Sequence, residues 1–216
     1  MPDAKPPLDP HPLSPYVSWA GHRNREPILD LLREKLPETA GHVMELATGS
    51  GMHINFIAPH FKCLTFHPSD KDDETFDNIK KLTQENGNTN IVDPVVIDLI
   101  DSSTWFNASA PSFSAIFCIN IFQVAPLSIA EGMMNCAASL LEDKGKLYIY
   151  GPFKVDGGFS SDSNKTFDDT IQSAGVVEWG LKDVSDISKA AGLAGLELVE
   201  RVDMPSNNFM LIYGKS

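Results

Sequence analysis

The run Val43-Met44-Glu45-Leu46-Ala47-Thr48-Gly49-Ser50-Gly51 constrains the fold more than any other part of the chain. Apolar residues broken only by Glu45 lead straight into two glycines, which reads as a buried strand entering a tight turn. Glycine takes φ > 0 without strain and puts no Cβ between the backbone and a ligand. In an open α/β sheet such a turn lies at the carboxyl end of the first strand, where nucleotide-type ligands bind. The residues from Ile54 to His60 then start a helix whose free N–H groups face that ligand.

The remaining pattern supports this placement. Met1 to Pro15 holds six prolines and reads as a mobile arm, residues 1–15, ahead of one domain, residues 16–216. From Glu26, apolar residues Ile28, Leu29, Leu31, Leu32 and Leu36 recur at helical spacing, with Pro27 in the first turn and Pro37 as the stop. Strands are expected at His42 to Ala47, Cys63 to His67, Val95 to Ile97, Ala115 to Ile119 and Lys146 to Tyr150. Helices are expected at Asp72 to Glu85, Ile129 to Leu141 and Val184 to Ala191, the second stopped by an Asp143-Lys144-Gly145 turn. Pro59 ends or kinks the helix behind the glycine turn. Leu196 to Asp203 and Asn208 to Tyr213 read as a closing hairpin. Alternating strands and helices imply a parallel sheet covered on both faces, and the final pair adds one antiparallel strand. The expected fold is therefore α/β, a three-layer Rossmann-like sandwich whose sheet has seven mostly parallel strands, the last one antiparallel.

Composition narrows the partners. A length of 216 residues suits a single core, and 42% hydrophobic with 21% charged residues is a globular balance. The net charge of −12 argues against a nucleic-acid binder, which needs phosphate-neutralising Lys and Arg. Cys63, Cys118 and Cys136 show no C-x-x-C spacing, so neither a disulfide framework nor a zinc site is indicated, and no His is spaced with Cys or acid as a metal ligand. Such cysteine usage suits the cytosol or nucleus. The Pro-rich start lacks the apolar stretch of a secretory signal, and no run approaches the ~20 apolar residues of a membrane span.

Polar residues close four of the strands: Glu45, Asp70, Asp98 and Asn120. Asp70 falls where an acid accepts from ribose hydroxyls in nucleotide-binding folds. Asp98 would accept from an adenine amine, with Lys71 and Leu99 flanking the adenosine. Plain structural roles also fit: a solvated Glu45, Asp70 as a helix N-cap before Asp72-Asp73-Glu74, and Asp98 as a turn residue. The pattern E-x-A-x-G-x-G from Glu45 to Gly51 resembles motif I of class I S-adenosylmethionine-dependent methyltransferases. In that family the acid supports the turn around the methionine end of the cofactor. The resemblance implies S-adenosyl-L-methionine as cofactor. It also implies a site of Arg23, Asn24, Glu45, Ala47, Gly49, Gly51, Asp70, Lys71, Asp98, Leu99 and Asn120. A dinucleotide fingerprint would need glycine or alanine where Ile54 stands, which counts against a nicotinamide-dependent oxidoreductase.

A more specific likeness runs from about Ser14 to the C-terminus. It is carried by His22-Arg23-Asn24-Arg25-Glu26-Pro27-Ile28-Leu29, Glu45 to His53, Pro68-Ser69-Asp70 and Ile116 to Asn120. Tyr148 to Lys154, Ser163-Asn164, Glu178-Trp179-Gly180 with Asp183, and Met204 to Asn208 continue it. Together these resemble the methyltransferase-like protein 26 family, which implies a class I fold and leaves the substrate undefined. One departure stands out. The family commonly shows a His three residues after Asn120, where this chain has Gln123, and an amide takes no proton near neutral pH. Asn120 is followed by Ile121-Phe122-Gln123 rather than Pro-Pro-Tyr, so methylation of Asn, Gln or nucleobase amines is not supported.

On the substrate side, Arg23 would clamp the methionine carboxylate or pair with Glu26 on the surface. The stretch Gly151 to Phe167, with Phe153, Lys154 and Asn164, reads as a lid or acceptor wall. Asn120, Gln123 and Tyr150 are the catalytic candidates, Trp179 a core or wall residue, and His22 and His53 lone histidines. Methyl transfer is an in-line displacement that needs the acceptor lone pair about 3–3.5 Å from the methyl carbon, and a base is optional when the acceptor is already nucleophilic. Three readings stand at this point: a methyltransferase for a small-molecule or protein acceptor, a cofactor-binding scaffold without turnover, and an NAD-dependent oxidoreductase. Oligomeric state is not encoded in these patterns.

Overall fold

The computed structural model describes residues 5–105 and 111–215. Met1 to Ala4 of the expected arm lie outside the described residues. The chain builds α1 (Pro15–Lys35), β1 (Gly41–Leu46), α2 (Met52–Ile57), β2 (Leu64–Asp70), α3 (Phe76–Glu85), β3 (Val95–Val96), β4 (Phe113–Ile119) and α4 (Ser128–Leu140). It continues with β5 (Leu141–Gly151), β6 (Lys154–Val155), β7 (Gly158–Phe159), α5 (Asp162–Gln172), α6 (Val184–Leu193), β8 (Leu196–Met204) and β9 (Asn208–Lys215).

Seven strands form one sheet in the order β3-β2-β1-β4-β5-β9-β8. The pairs from β3 to β5 are parallel, and β9 runs antiparallel between β5 and β8. This is the expected α/β sandwich, with the last strand antiparallel. It differs from the 3-2-1-4-5-6 order of dinucleotide-binding sheets. Side chains alternate along each strand, so every strand feeds two layers. Met44, Ile116, Cys118, Ile149 and Leu211 pack with α4 and α6, while Val43, Phe117, Tyr148, Tyr150 and Met210 pack with α1 and α2. Among the described residues no helix is long and apolar enough to cross a membrane.

Several elements differ from the sequence expectation, and α3 begins at Phe76 rather than Asp72. Helix α1 starts at Pro15 rather than Glu26, capped by Ser14, whose Oγ accepts from Val17 N–H (3.1 Å). Its first half carries few core residues because Tyr16, Val17 and Ala20 face a cavity instead. Pro27 therefore lies inside the helix, where it has no N–H for the Arg23 carbonyl. Strand β2 runs on through Pro68 to Asp70; β3 pairs only with Ser69 and Asp70, so no ladder bond is lost on that side at Pro68. The Asp143-Lys144-Gly145 turn is taken up as an irregularity within β5, since Phe113 pairs with Leu141 and Ala115 with Lys146. The stretch from Gly151 to Phe167, expected as a lid or acceptor wall, is structured. Phe153 is core, β6 and β7 form a small hairpin, and Ser161 caps α5 by accepting from Asn164 N–H (3.1 Å).

Candidate functional site

The carboxyl edge of the sheet opens into a cavity of about 1040 Å³. Its floor is the turn after β1. Ala47 (φ 53°), Gly49 (φ 58°) and Gly51 (φ 79°) all have left-handed backbone there. Asn120, at the end of the neighbouring β4, is left-handed too (φ 58°). Ala47 carries a Cβ, so its conformation costs about 1–2 kcal/mol, while Asn120 is a residue type that tolerates this region better. Strain of this kind at adjacent strand ends is characteristic of ligand sites.

Hydrogen bonds hold the turn. Thr48 N–H donates to Ser69 O (2.8 Å), and Ser69 N–H donates back to Thr48 Oγ1 (3.0 Å). Thr48 Oγ1 (3.1 Å) and Ser69 Oγ (2.8 Å) both donate to Glu45 O. Gly49 N–H donates to Asp70 Oδ2 (2.8 Å) and Lys71 N–H to Asp70 Oδ1 (2.8 Å). The turn thus stitches β1 to β2 and aims Asp70 at the cavity. Burial is the main cause that raises the Asp70 carboxyl above its ordinary value, against the two N–H donors that lower it.

Glu45 is 1% exposed. Its Oε2 is buried with no hydrogen-bond partner. Burial pushes its carboxyl well above the ordinary range, opposed by the Thr48 hydroxyl and the Ile54 N–H and reinforced by Asp70. Such an atom is costly until a donor or cation meets it. Arg23 lines the same cavity, stacks on Trp19 (4.8 Å to the centroid) and donates from Nε to Asn24 Oδ1 (3.0 Å). Among the described residues it makes no ion pair with Glu26 or any other acid, which leaves the outer guanidinium nitrogens for a ligand.

At the other end of the cavity, Asp98 closes a turn and also lines the cavity. Its Oδ1 accepts from Ile100 N–H (2.9 Å). Leu99 and Lys71 are on the wall beside it. All eleven expected cofactor residues come together here, as the cavity touches ten of them and Gly51 caps α2 at its floor.

The catalytic candidates separate. Asn120 and Gln123 line the cavity, and Gln123 Nε2 donates to Asn120 O (2.8 Å). Tyr150 does not line it, which corrects its place among the acceptor contacts. Strand alternation turns its ring into the layer of Tyr148 and Met210, where its hydroxyl accepts from Asn208 Nδ2 (2.9 Å). Asn164 and Trp179 do line the cavity, while Lys154 is drawn away to Asp168 (3.4 Å). His53 is on the wall, held neutral by burial and by Arg25 and His22, with a pKa pushed down to about 4. Among the described residues no cluster of three His, Cys, Asp or Glu is placed to hold a metal.

Sequence reasoning missed several wall residues. From residue 5 on, the arm lies against the domain: Lys5, Leu8 and Pro12 line the cavity, Pro12 lies over Gly49, and His11 Nε2 meets Glu74 Oε1 (3.2 Å). Gly132, inside α4, lets the Leu99 carbonyl lie directly against the helix. An isolated glycine in a helical run was the available signal for it.

Solved structures share this architecture. CalO1, a methyltransferase in calicheamicin biosynthesis in its SAH-bound form, matches with TM-score 0.71 and 16% identity over 93% of this chain and 55% of that one. An O-methyltransferase family 2 protein from Planctomyces limnophilus in complex with apigenin gives TM-score 0.74 and 14% identity over 93% and 60%. An O-methyltransferase family protein from Burkholderia thailandensis gives 0.71 and 19% over 88% and 56%. At these identities the likeness establishes the class I methyltransferase fold, and the chain spans little more than half the length of the proteins it matches. Residues 16–215 match the family described as protein of unknown function, DUF938, and the chain belongs to that family.

Proposed function

We propose that this chain is a class I methyltransferase that uses S-adenosyl-L-methionine to methylate a small-molecule acceptor, of the methyltransferase-like protein 26 type. The observation that carries the reading is the buried, unpartnered Glu45 Oε2 beside a left-handed glycine turn tethered to Asp70. That arrangement fits a ligand with a cationic amino acid end and a ribose. Glu45 faces the cationic end, Arg23 takes the carboxylate, Asp70 the ribose hydroxyls and Asp98 the adenine amine, with Leu99 as the apolar wall. When bound, the cofactor supplies an electrophilic methyl group on a sulfonium. The chain's own residues orient it, exclude water and hold the acceptor. Thiols that are free at Cys63, Cys118 and Cys136 suit a reducing compartment, the cytosol or nucleus.

Calorimetric titration with S-adenosylmethionine, S-adenosylhomocysteine and NAD tests the reading. Both adenosyl compounds are expected to bind and NAD is not. Tight NAD binding without a response to either adenosyl compound would falsify it. Asp70→Ala is expected to weaken S-adenosylhomocysteine binding by about 1.5–3 kcal/mol, the range for a hydrogen bond to a charged group. A variant with a lower melting temperature and unchanged affinity would reduce Asp70 to a tether for Gly49.

A further inference from the structure

Three aromatic rings from two helices surround one ammonium at the cavity. Lys5 Nζ lies 5.7 Å from the Tyr16 ring centroid, 5.9 Å from that of Trp19 and 5.7 Å from that of Phe167. Tyr16 and Trp19 are neighbours on α1, their centroids 6.0 Å apart, and Phe167 comes from α5. Lys5, Tyr16 and Phe167 line the cavity. So do the carboxylates of Asp9, Glu45, Asp70, Asp72, Glu74 and Asp98. Among the described residues, however, Lys5 makes no ion pair with any acid. Its charge is met by rings instead.

The cage is wide for a bare ammonium. At all three rings the nitrogen is close to the limit of about 6 Å for a cation–π contact. An ammonium also carries three N–H donors, which ring faces satisfy poorly. A methyl carbon stands about 1.45 Å further out along a C–N single bond. It would close most of the gap to ordinary carbon–carbon contact, about 3.5–4.0 Å. Each added methyl group also replaces an N–H that otherwise needs water. Aromatic cages are a recognised way of holding methylated lysine.

The location suits transfer as well as storage. The Arg23 guanidinium lies 4.8 Å from the Trp19 centroid, so Lys5 Nζ shares a ring with the group assigned to the methionine carboxylate. From Asp9 on the arm is tied down: Ser14 Oγ donates to Asp9 O (2.7 Å) and His11 N–H to Asp9 Oδ1 (3.0 Å). Lys5 is exposed, and residues 5–10 have no regular structure. Its stem of four carbons is flexible, so the nitrogen can swing between the cage and a bound donor.

We propose that Lys5 is a methylation site, methylated within its own chain, and that the Tyr16, Trp19 and Phe167 cage holds the N-methylated product; the transfer rests on the methyltransferase reading above. The ammonium first releases a proton to water. The nitrogen lone pair then forms the new C–N bond as the C–S bond breaks and its electron pair returns to sulfur. A methylated ammonium and a neutral thioether result, so the positive charge passes from sulfur to nitrogen. A further round starts with the loss of the next N–H proton.

Peptide mass spectrometry of the purified full chain, before and after incubation with S-adenosylmethionine, tests the transfer. Methyl groups are expected on Lys5, none on that peptide in Lys5→Gln, and the same rate per chain on dilution. A chain that binds S-adenosylhomocysteine yet gains no methyl on Lys5 overturns the transfer. A rate that falls on dilution overturns its taking place within one chain. The cage is tested without cofactor. Lys5→Gln, which empties it, is titrated with tetramethylammonium and with ammonium and followed by Trp fluorescence, an added Trp19→Phe being expected to remove the signal. Tetramethylammonium is expected to bind about fivefold or more tightly than ammonium. An equal response to the two ions, or none, overturns the cage. A chain that fails to bind S-adenosylhomocysteine loses the methyltransferase reading and the transfer with it, while this titration still decides the cage.

Discussion

Gly132→Ala should lower the stability of the protein although it improves the local helix propensity. A Cβ at Gly132 would overlap the Leu99 carbonyl oxygen and stand 2.7 Å from the Leu99 carbonyl carbon. Neither atom is the far end of a flexible side chain, so α4 and the Leu99 segment must part. Overpacking of this kind costs about 3 kcal/mol, against a gain of about 1 kcal/mol from replacing glycine in a helix. A net loss of about 2 kcal/mol corresponds to roughly 4–8 °C in melting temperature for a chain of this size. Gly192, in α6, provides the control. A Cβ there would meet nothing within 4 Å, so Gly192→Ala should stabilise by up to about 1 kcal/mol. Thermal melts of the two variants check the contrast. Since Leu99 is a cavity wall, Gly132→Ala should also weaken binding of S-adenosylhomocysteine. Equal stabilisation by both substitutions would show that the close approach of Leu99 is not there.

Glu45→Gln should separate folding from binding. The folded carboxyl titrates well above its ordinary value of 4.5, chiefly through burial. A group with a raised folded pKa holds a proton that the unfolded chain releases. Its contribution is therefore fully present below about 4.5 and is lost as pH rises through the folded value. The variant has no such group, so its stability should fall less between acid and neutral pH than that of the parent. Its affinity for S-adenosylmethionine should drop by about 1.5–3 kcal/mol, because the amide cannot meet a cationic amino group as an anion. Binding to the parent should also release a proton, since a cation beside Glu45 favours its charged form. Calorimetry in two buffers of different ionisation enthalpy would show this as a buffer-dependent heat, absent in Glu45→Gln. A parent without that difference would mean that Glu45 is not the group facing the cation.

The sheet is legible in the sequence because its strands are apolar on both faces and end in polar residues. Alternation alone lines up Glu45, Asp70, Asp98 and Asn120 along one edge. The pattern misleads where a side chain faces the cavity rather than the core. Tyr16, Val17 and Ala20 break the apolar stripe of α1, so its first half resembles a loop. Glycines at 157 and 158 conceal that a helix, α5, begins at Asp162. Tyr150 ends a strand and so reads as a site residue, yet which face it takes depends on where α1 and α2 dock, and strand periodicity does not specify that. Gly132 is a further case, as its meaning depends on a carbonyl from a distant segment.

The arm sets how quickly a ligand comes and goes. Pro12 stands over Gly49, and Lys5, Leu8 and His11 line the same cavity, so residues 5–14 cover part of it. Little holds them down. The His11–Glu74 pair is half-exposed or more on both sides and is worth under about 1 kcal/mol. Exposed contacts of the Lys5 type contribute about 0.5–1 kcal/mol. A cover closed by so little opens readily, and one that touches the ligand only lightly slows arrival and departure alike. Its anchors then govern residence time more than equilibrium affinity.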